Sequence, residues 1–508
     1  MSAGTELDKG ALAHGLLVPR RRPSPAPARS KEWYSHAAKD VRSQYPLALL
    51  ARDHDTVCTQ AVDSAEIAAS LEASGLNDHL VRERYRVGNV FELSRRLYEL
   101  VPRRGSAPPS PSDPWRLPIT RHLGRGVLYA LPMLPYAAVL RLLHVSTPVI
   151  VALLIGNVAS MSLTQGVSHL AYILKGGGAS GAAARFLRQA LVCTAAGASV
   201  LALVAATTRT MPRGAVLVAS AQLVYVVAAT VLLVFDRDRL LLMSLAPVAV
   251  LSALAITLPT AVIGTGLLAT LACTSVVAVV AVSTLAWKTI SSVTRGSANE
   301  RRMRLGIRDV RSALLHALYG GLTAGLLMYA VLDIVTLSGH GSVSTVIGIG
   351  MLPLAASLGV AEMQLCGFRS GCASLLQRLD ELPAFRRRMR HTLASRGLVY
   401  ALVLAVLTAA VLLPAARAHD LTTVSTLHHL GYGELGIGLL GATILVSCQM
   451  TGRATLLLAV ALGCDLAMRG VVHNVVTLLF VHLAVFAVLA VAVWVTAAVQ
   501  LGSPFRHR

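Results

Sequence analysis

The sequence predicts an all-α polytopic membrane protein: about twelve transmembrane helices in two six-helix bundles, preceded by a small helical region. Three observations predict it. Only 14% of the 508 residues are charged and the mean hydropathy is +0.63, too apolar for a soluble domain of ordinary composition. Beyond residue 125, apolar stretches recur at lengths near the ~20 residues that cross a bilayer as a helix. Between those stretches, lysines and arginines collect in every second gap, as expected when basic loops stay on one side of a membrane.

The first thirty residues mix Arg20, Arg21 and Arg22 with prolines and read as a disordered tail. Nothing in them resembles a secretory leader, so the first segment is expected to stay cytoplasmic. Residues 31–103 are polar yet patterned, with three short helices expected at 61–74, 78–85 and 90–100, the first two ended by Gly75 and Gly88. Their arrangement resembles a helix-turn-helix, with Arg82, Arg84 and Arg86 on the later helix. Yet 14 acidic residues accompany 19 basic ones up to residue 125, and a DNA reader needs an unopposed recognition helix on a compact core. A small cytoplasmic module that binds a protein partner is the better reading. Residues 104–118 form a Pro/Ser linker.

Twelve apolar segments follow, at 126–142, 147–174, 187–206, 214–235, 240–258, 261–286, 312–337, 343–367, 397–415, 430–450, 452–468 and 473–501. With the N-terminus inside, the cytoplasmic loops and tail carry 22 Lys/Arg and the outer loops five. That asymmetry places both termini in the cytoplasm. It also accounts for the net charge of +21, which meets the lipids of an anionic inner leaflet; no nucleic acid is expected. The seven cysteines (Cys58, Cys193, Cys273, Cys366, Cys372, Cys448 and Cys464) show no CxxC pair, and they read as small apolar residues. No motif calls for a cofactor or a metal.

Residues 287–311 are the longest polar break, between the sixth and seventh segments. Ser297 and Glu300 form a capping-box pattern. Met303, Ile307, Val310 and Leu314 then share one helix face, and Arg301, Arg304, Arg308 and Arg311 share a flank. This predicts an amphipathic basic helix lying on the cytoplasmic membrane surface and joining two halves. The halves carry a faint echo of each other. Gly166-Val167-Ser168-His169 recurs as Gly359-Val360-Ala361-Glu362 at an offset of 193 residues, as parallel repeats would show.

Ionisable groups at membrane depth are costly and need a reason. Gln165 and His169 make an i, i+4 polar stripe on the second span. Glu362 is seven residues before Arg369, its expected ion-pair partner unless it faces a cavity and binds a cation or a polar substrate. Asp465 is expected to pair with Arg469, four residues on. Gln165, His169, Glu362 and Asp465 are thus the candidate substrate- or ion-binding residues. No Walker A, HExxH or GxSxG motif is present, and the loops lack acidic residues for metal–nucleotide-sugar contacts, so an enzyme is not expected.

The twelve spans, the cytoplasmic connector at 287–311 and the second-span cluster MSLTQGVSHLAYILKG together resemble the MOP superfamily, the MATE-like and polysaccharide-flippase group, over residues 120–505. The resemblance implies two six-helix bundles and alternating access, with lipid-linked sugars or other amphiphiles as substrates and often coupling to an ion gradient; a polysaccharide or lipid-linked glycan precursor is the substrate expected here. The N-terminal module lies outside it. Two other readings stay open: a membrane scaffold that recruits partners through residues 31–103, and a membrane-embedded glycan transferase.

Overall fold

The computed structural model describes residues 45–61, 63–101, 118–142, 147–208, 212–258, 265–296, 305–337, 350–378, 382–417 and 422–502. Among them every regular element is a helix. The chain divides into two compact units, Met1–Asp113 and Pro114–Arg508.

The first unit holds five short helices: α1 (Tyr45–Asp53), α2 (Asp55–Gln60), α3 (Ser64–Ala73), α4 (Asp78–Tyr85) and α5 (Val90–Leu100). Side-chain caps start the last three. Asp63 accepts from Glu66 N–H, Asn77 from Leu80 N–H and Asn89 from Glu92 N–H, each satisfying a first-turn donor that the helix itself leaves free. Gly75, at φ +91°, takes the left-handed turn after α3. Ile67, Leu71, Val81, Leu93 and Leu97 then close on one another as a core. Helices α1 and α2 have no counterpart in the sequence reading; Ala51 and Cys58 bring them into that core. Burial, reinforced by Asp55, pushes the Cys58 thiol up to about 11.

The second unit is a bundle of long helices. The first expected span is two helices, α6 (Ile119–Ala130) and α7 (Met133–Leu142), divided at Pro132, which has no N–H to continue the ladder. It begins seven residues earlier than expected and so takes Arg121 and Arg125 into a helix. The second to sixth spans are α8 (Thr147–Gly176), α9 (Ser180–Thr207), α10 (Arg213–Val234), α11 (Asp238–Thr257) and α12 (Thr265–Gly296). The seventh to twelfth are α13 (Ile307–Leu337), α14 (Leu352–Arg378), α15 (Leu382–Arg417), α16 (Thr423–Ser447), α17 (Thr451–Arg469) and α18 (Val475–Gln500).

Among the described residues, nine of these helices are long and apolar enough to cross a membrane. Their outward faces are apolar, as at Leu203, Met243, Val277, Val406 and Val488, which suits lipid and not water. The chain is a multi-pass membrane protein. The first, seventh and eighth spans do not meet the same criterion among the described residues; all three face the other half, as does the second span.

The connector differs from expectation. Trp287–Gly296 continues α12 as helix, whereas Leu305 and Gly306 are not helical and α13 starts at Ile307. Asp309 caps that start by accepting from Gly306 N–H at 2.8 Å. Arg308 and Arg311 are exposed there, with Ile307 88% exposed beside them. Ser297, Glu300, Arg301 and Arg304 lie outside the described residues. The ninth span also starts early: Phe385, Met389 and Leu393 are buried on α15, while Arg386, Arg387, Arg388 and Arg390 are exposed.

Packing repeats with a period of six spans. Second against fourth recurs as eighth against tenth, fourth against sixth as tenth against twelfth, and first against fifth as seventh against eleventh. Among the described residues, the main packed pairs between spans of the first half each have such a counterpart. Between the halves, α6 meets α14 and α8 meets α13, and the same shift exchanges these two contacts. The Gly166/Gly359 echo falls on them. A Cβ on Gly359 would lie 2.3 Å from the His122 carbonyl oxygen and 2.7 Å from Gly126 Cα; one on Gly166 would lie 3.3 Å from Ala317 Cβ. Small residues let the backbones touch at both crossings.

Gly359→Val should therefore force α6 and α14 apart. We expect a loss of about 1–3 kcal/mol, the usual cost of overpacking, read as a lower Tm in detergent. Gly433→Ala, which meets nothing within 4 Å, should hold or raise the Tm.

Candidate functional site

Polar groups in the second unit collect at the seam between the halves and inside the second half. At the seam, Glu362 on α14 accepts from Arg125 on α6, Nη1 to Oε1 at 2.6 Å. The expected local pair with Arg369 does not form; Arg369 donates to Cys448 Sγ, because α14 turns Glu362 toward the other half. Arg125 also binds Asp238 through Nε at 2.9 Å, and Asp236 lies 3.7 Å from its Nη2. Asp236 in turn pairs with Arg121 and with Lys175 at 2.9 Å. Burial pushes the Asp236 carboxyl up, but its hydrogen bonds to Lys175 and Arg121 outweigh this and hold it below the usual aspartate range. His122, buried, places Nδ1 3.7 Å from Glu362.

The second crossing carries an imidazole counterpart. His169 on α8 stacks on His316 of α13 with ring centroids 3.7 Å apart, and its Nε2 meets Ser312 Oγ at 2.9 Å. His316 Nδ1 meets the Ser312 carbonyl at 2.8 Å. Gln165, one turn before His169, packs over Gly320 of α13. His169 and Glu362 thus occupy equivalent places, one on each crossing, and the structure does not bring them to one point.

Inside the second half, Asp465 is fully buried on α17 and binds His482 Nδ1 of α18 at 2.7 Å. The expected pair with Arg469 is replaced by this one, since His482 offers a donor already inside the bundle. The other oxygen, Oδ2, has no hydrogen-bond partner. His428 of α16, which stacks edge-on with Tyr432 at 4.6 Å, has neither ring nitrogen hydrogen-bonded. The first half holds a polar counterpart: Gln222 of α10 donates to Asn157 of α8 at 3.0 Å and accepts from Tyr136. Asn157 and Gly350 stand 193 residues apart, and Gly350 packs against His428 as Asn157 meets Gln222. His316, His428, Arg125 and the two aspartates of the α10–α11 turn went unmarked in the sequence reading. The spacing of 193 residues was the one signal pointing to the seam. Among the described residues no group of three His, Cys, Asp or Glu is placed to hold a metal ion.

No family model matches the chain, and no curated protein does. Several solved structures are similar to it. The chain resembles MATE transporters. An outward-facing multidrug resistance MATE family transporter of the MOP superfamily aligns at TM-score 0.49 and 11% identity, over 77% of this chain and 97% of that one. A MATE in complex with Br-NRF aligns at TM-score 0.47 and 11% identity, over 76% and 95%. A MATE in complex with MaL6 aligns at TM-score 0.45 and 12% identity, over 76% and 96%.

Asp465→Ala should leave His482 without its buried acceptor. We expect a stability loss of about 3–5 kcal/mol, typical when one member of a buried pair is removed. Asp465→Asn, which keeps an accepting oxygen, should lose clearly less in the same thermal unfolding measurement.

Proposed function

We propose that the protein is a membrane transporter, a flippase or exporter that moves a polysaccharide or lipid-linked glycan precursor across the plasma membrane of a bacterial-type cell by alternating access. The observation that carries the reading is the duplicated packing with a seam between the halves. Two similar bundles that touch through small residues and polar clasps can rock about that seam, whereas an enzyme needs a fixed reacting centre. The loop charges favour cytoplasmic N- and C-termini. That orientation puts the clasps at the cytoplasmic end and makes this the inward-closed state. Asp465 with His482 is the coupling-ion site in this reading, since a carboxyl–imidazole pair takes up and passes on a proton. Glu362, His169 and Gln165 face the path. Arg308 and Arg311 rest on anionic headgroups; Arg301 and Arg304, outside the described residues, add to the basic charge of this stretch of sequence. The glycan class rests on the resemblance carried by the second-span cluster.

A scaffold that recruits a cytoplasmic partner through residues 31–103 is the second reading. It is favoured by the separately packed first unit, whose Phe91 is 57% exposed.

A disulfide across the seam tests the first reading. Gly166→Cys with Ala317→Cys brings two Cβ positions to about the spacing a disulfide bridges. Oxidation should stop flipping of a polyprenyl-linked glycan in proteoliposomes, and reduction should restore it. Flipping that persists when oxidised, with the disulfide confirmed, would sink rocking at this seam. Under the scaffold reading, removing residues 1–113 abolishes the cellular phenotype; under the transporter reading, flipping survives the deletion.

A further inference from the structure

The Arg125–Glu362 clasp is shared unequally between the halves. Arg125 has partners in its own half: Asp238 at 2.9 Å and Asp236 at 3.7 Å. Glu362 has none in its own. Its Oε1 meets Arg125 and His122, both on α6, and its Oε2 is buried without a hydrogen-bond partner. When the halves part, Arg125 leaves with its two aspartates. Glu362 stays behind as a carboxylate at membrane depth with no counter-charge, a state that lipid surroundings strongly disfavour.

We propose that Glu362 is a cation-exchange site: as the halves part, a monovalent cation from the adjoining water replaces the Arg125 guanidinium on its carboxylate. This rests on the rocking reading above and adds the ligand and the step to it. The balance is simple, since one positive charge leaves the carboxylate and one arrives. The surroundings favour a proton over a sodium ion, because a lone carboxylate supplies too few oxygens to replace a metal ion's hydration shell. Facing Glu362 are His122, Arg125 and Tyr129 from α6, Tyr172 from α8 and Asp238 from the α10–α11 turn. On α14 itself Arg369 reaches Cys448, and Arg396 of α15 reaches Gln364. Of the titratable groups of α16, His428 and His429 stand against Gly350, roughly 18 Å from Glu362 at the helical rise.

The test follows thiol accessibility at the seam. Ala313→Cys is introduced into the full chain, where Ala313 is buried beside Gly166. In lipid nanodiscs, modification at position 313 by a water-soluble thiol reagent is read by mass spectrometry. The expected result is faster modification as the pH falls from about 8 to about 6, at up to about tenfold per unit for one proton. Glu362→Gln should modify fast at every pH, and Glu362→Asp should keep the dependence. His169 and His316 remain in all variants, so a dependence that survives in Glu362→Gln belongs to them and overturns the proposal. Acceleration by sodium at fixed pH, lost in Glu362→Gln, assigns the site to sodium instead of a proton. Modification insensitive to both cations overturns the site while leaving rocking intact. A folded chain never modified at position 313 under any condition overturns rocking and the site together.

Discussion

Backbone contact between the halves is the constraint on which the rest of the second unit depends. Lipid offers helices no hydrophobic reward for meeting one another, so close van der Waals packing through small side chains must supply it. Gly126 against Gly359, and Gly166 against Ala313 and Ala317, provide such surfaces. The charged and aromatic groups sit next to these glycines: Arg125 adjoins Gly126, Glu362 follows Gly359 by three residues, and His169 follows Gly166 by three. Their side chains reach across only because the backbones are already in contact. Packing sets the distance, and the polar pairs set the register.

The two crossings share a plan and differ in chemistry. One is an ion pair extended by Asp236, Asp238, Arg121 and Lys175 into the turn beyond the helices. The other is a stack of two imidazoles hydrogen-bonded through Ser312. The halves diverge likewise in their interiors, where Asn157–Gln222 occupies the place that Gly350–His428 takes in the other half. Divergence at equivalent points makes the two halves chemically distinct while their backbones stay alike.

Much of the fold was legible in the sequence. Hydropathy located the spans because lipid demands continuous apolar length, and the offset of 193 residues marked two glycines that fall at the crossings, where a missing side chain lets the backbones meet. Partner choice was not legible. Glu362 and Asp465 each had an arginine within seven residues, and local spacing favoured it. Both went instead to residues distant in sequence, Arg125 and His482, because helix rotation in the bundle decides which way a side chain points. The early starts of α6 and α15 were missed for a related reason. The first turns of α15 are polar outside and buried inside, while those of α6 turn Ile119 and Leu123 outward and bury His122; in both the average hydropathy hides the helix. The separate helices α1 and α2 escaped because they are short, nine and six residues, too short for a helical period to stand out.

The first span is short, broken at Pro132 and opened by Arg121 and Arg125. A segment like this gains little by entering a bilayer alone. During synthesis both arginines emerge before the Asp236 and Asp238 carboxylates that neutralise them within the first half, and before Glu362 of α14. The stable insertion of the first span should therefore wait at least on the α10–α11 turn, with the strongly apolar helices between holding the topology meanwhile. The order in which helices enter the membrane is then expected to differ from the order in which the ribosome makes them.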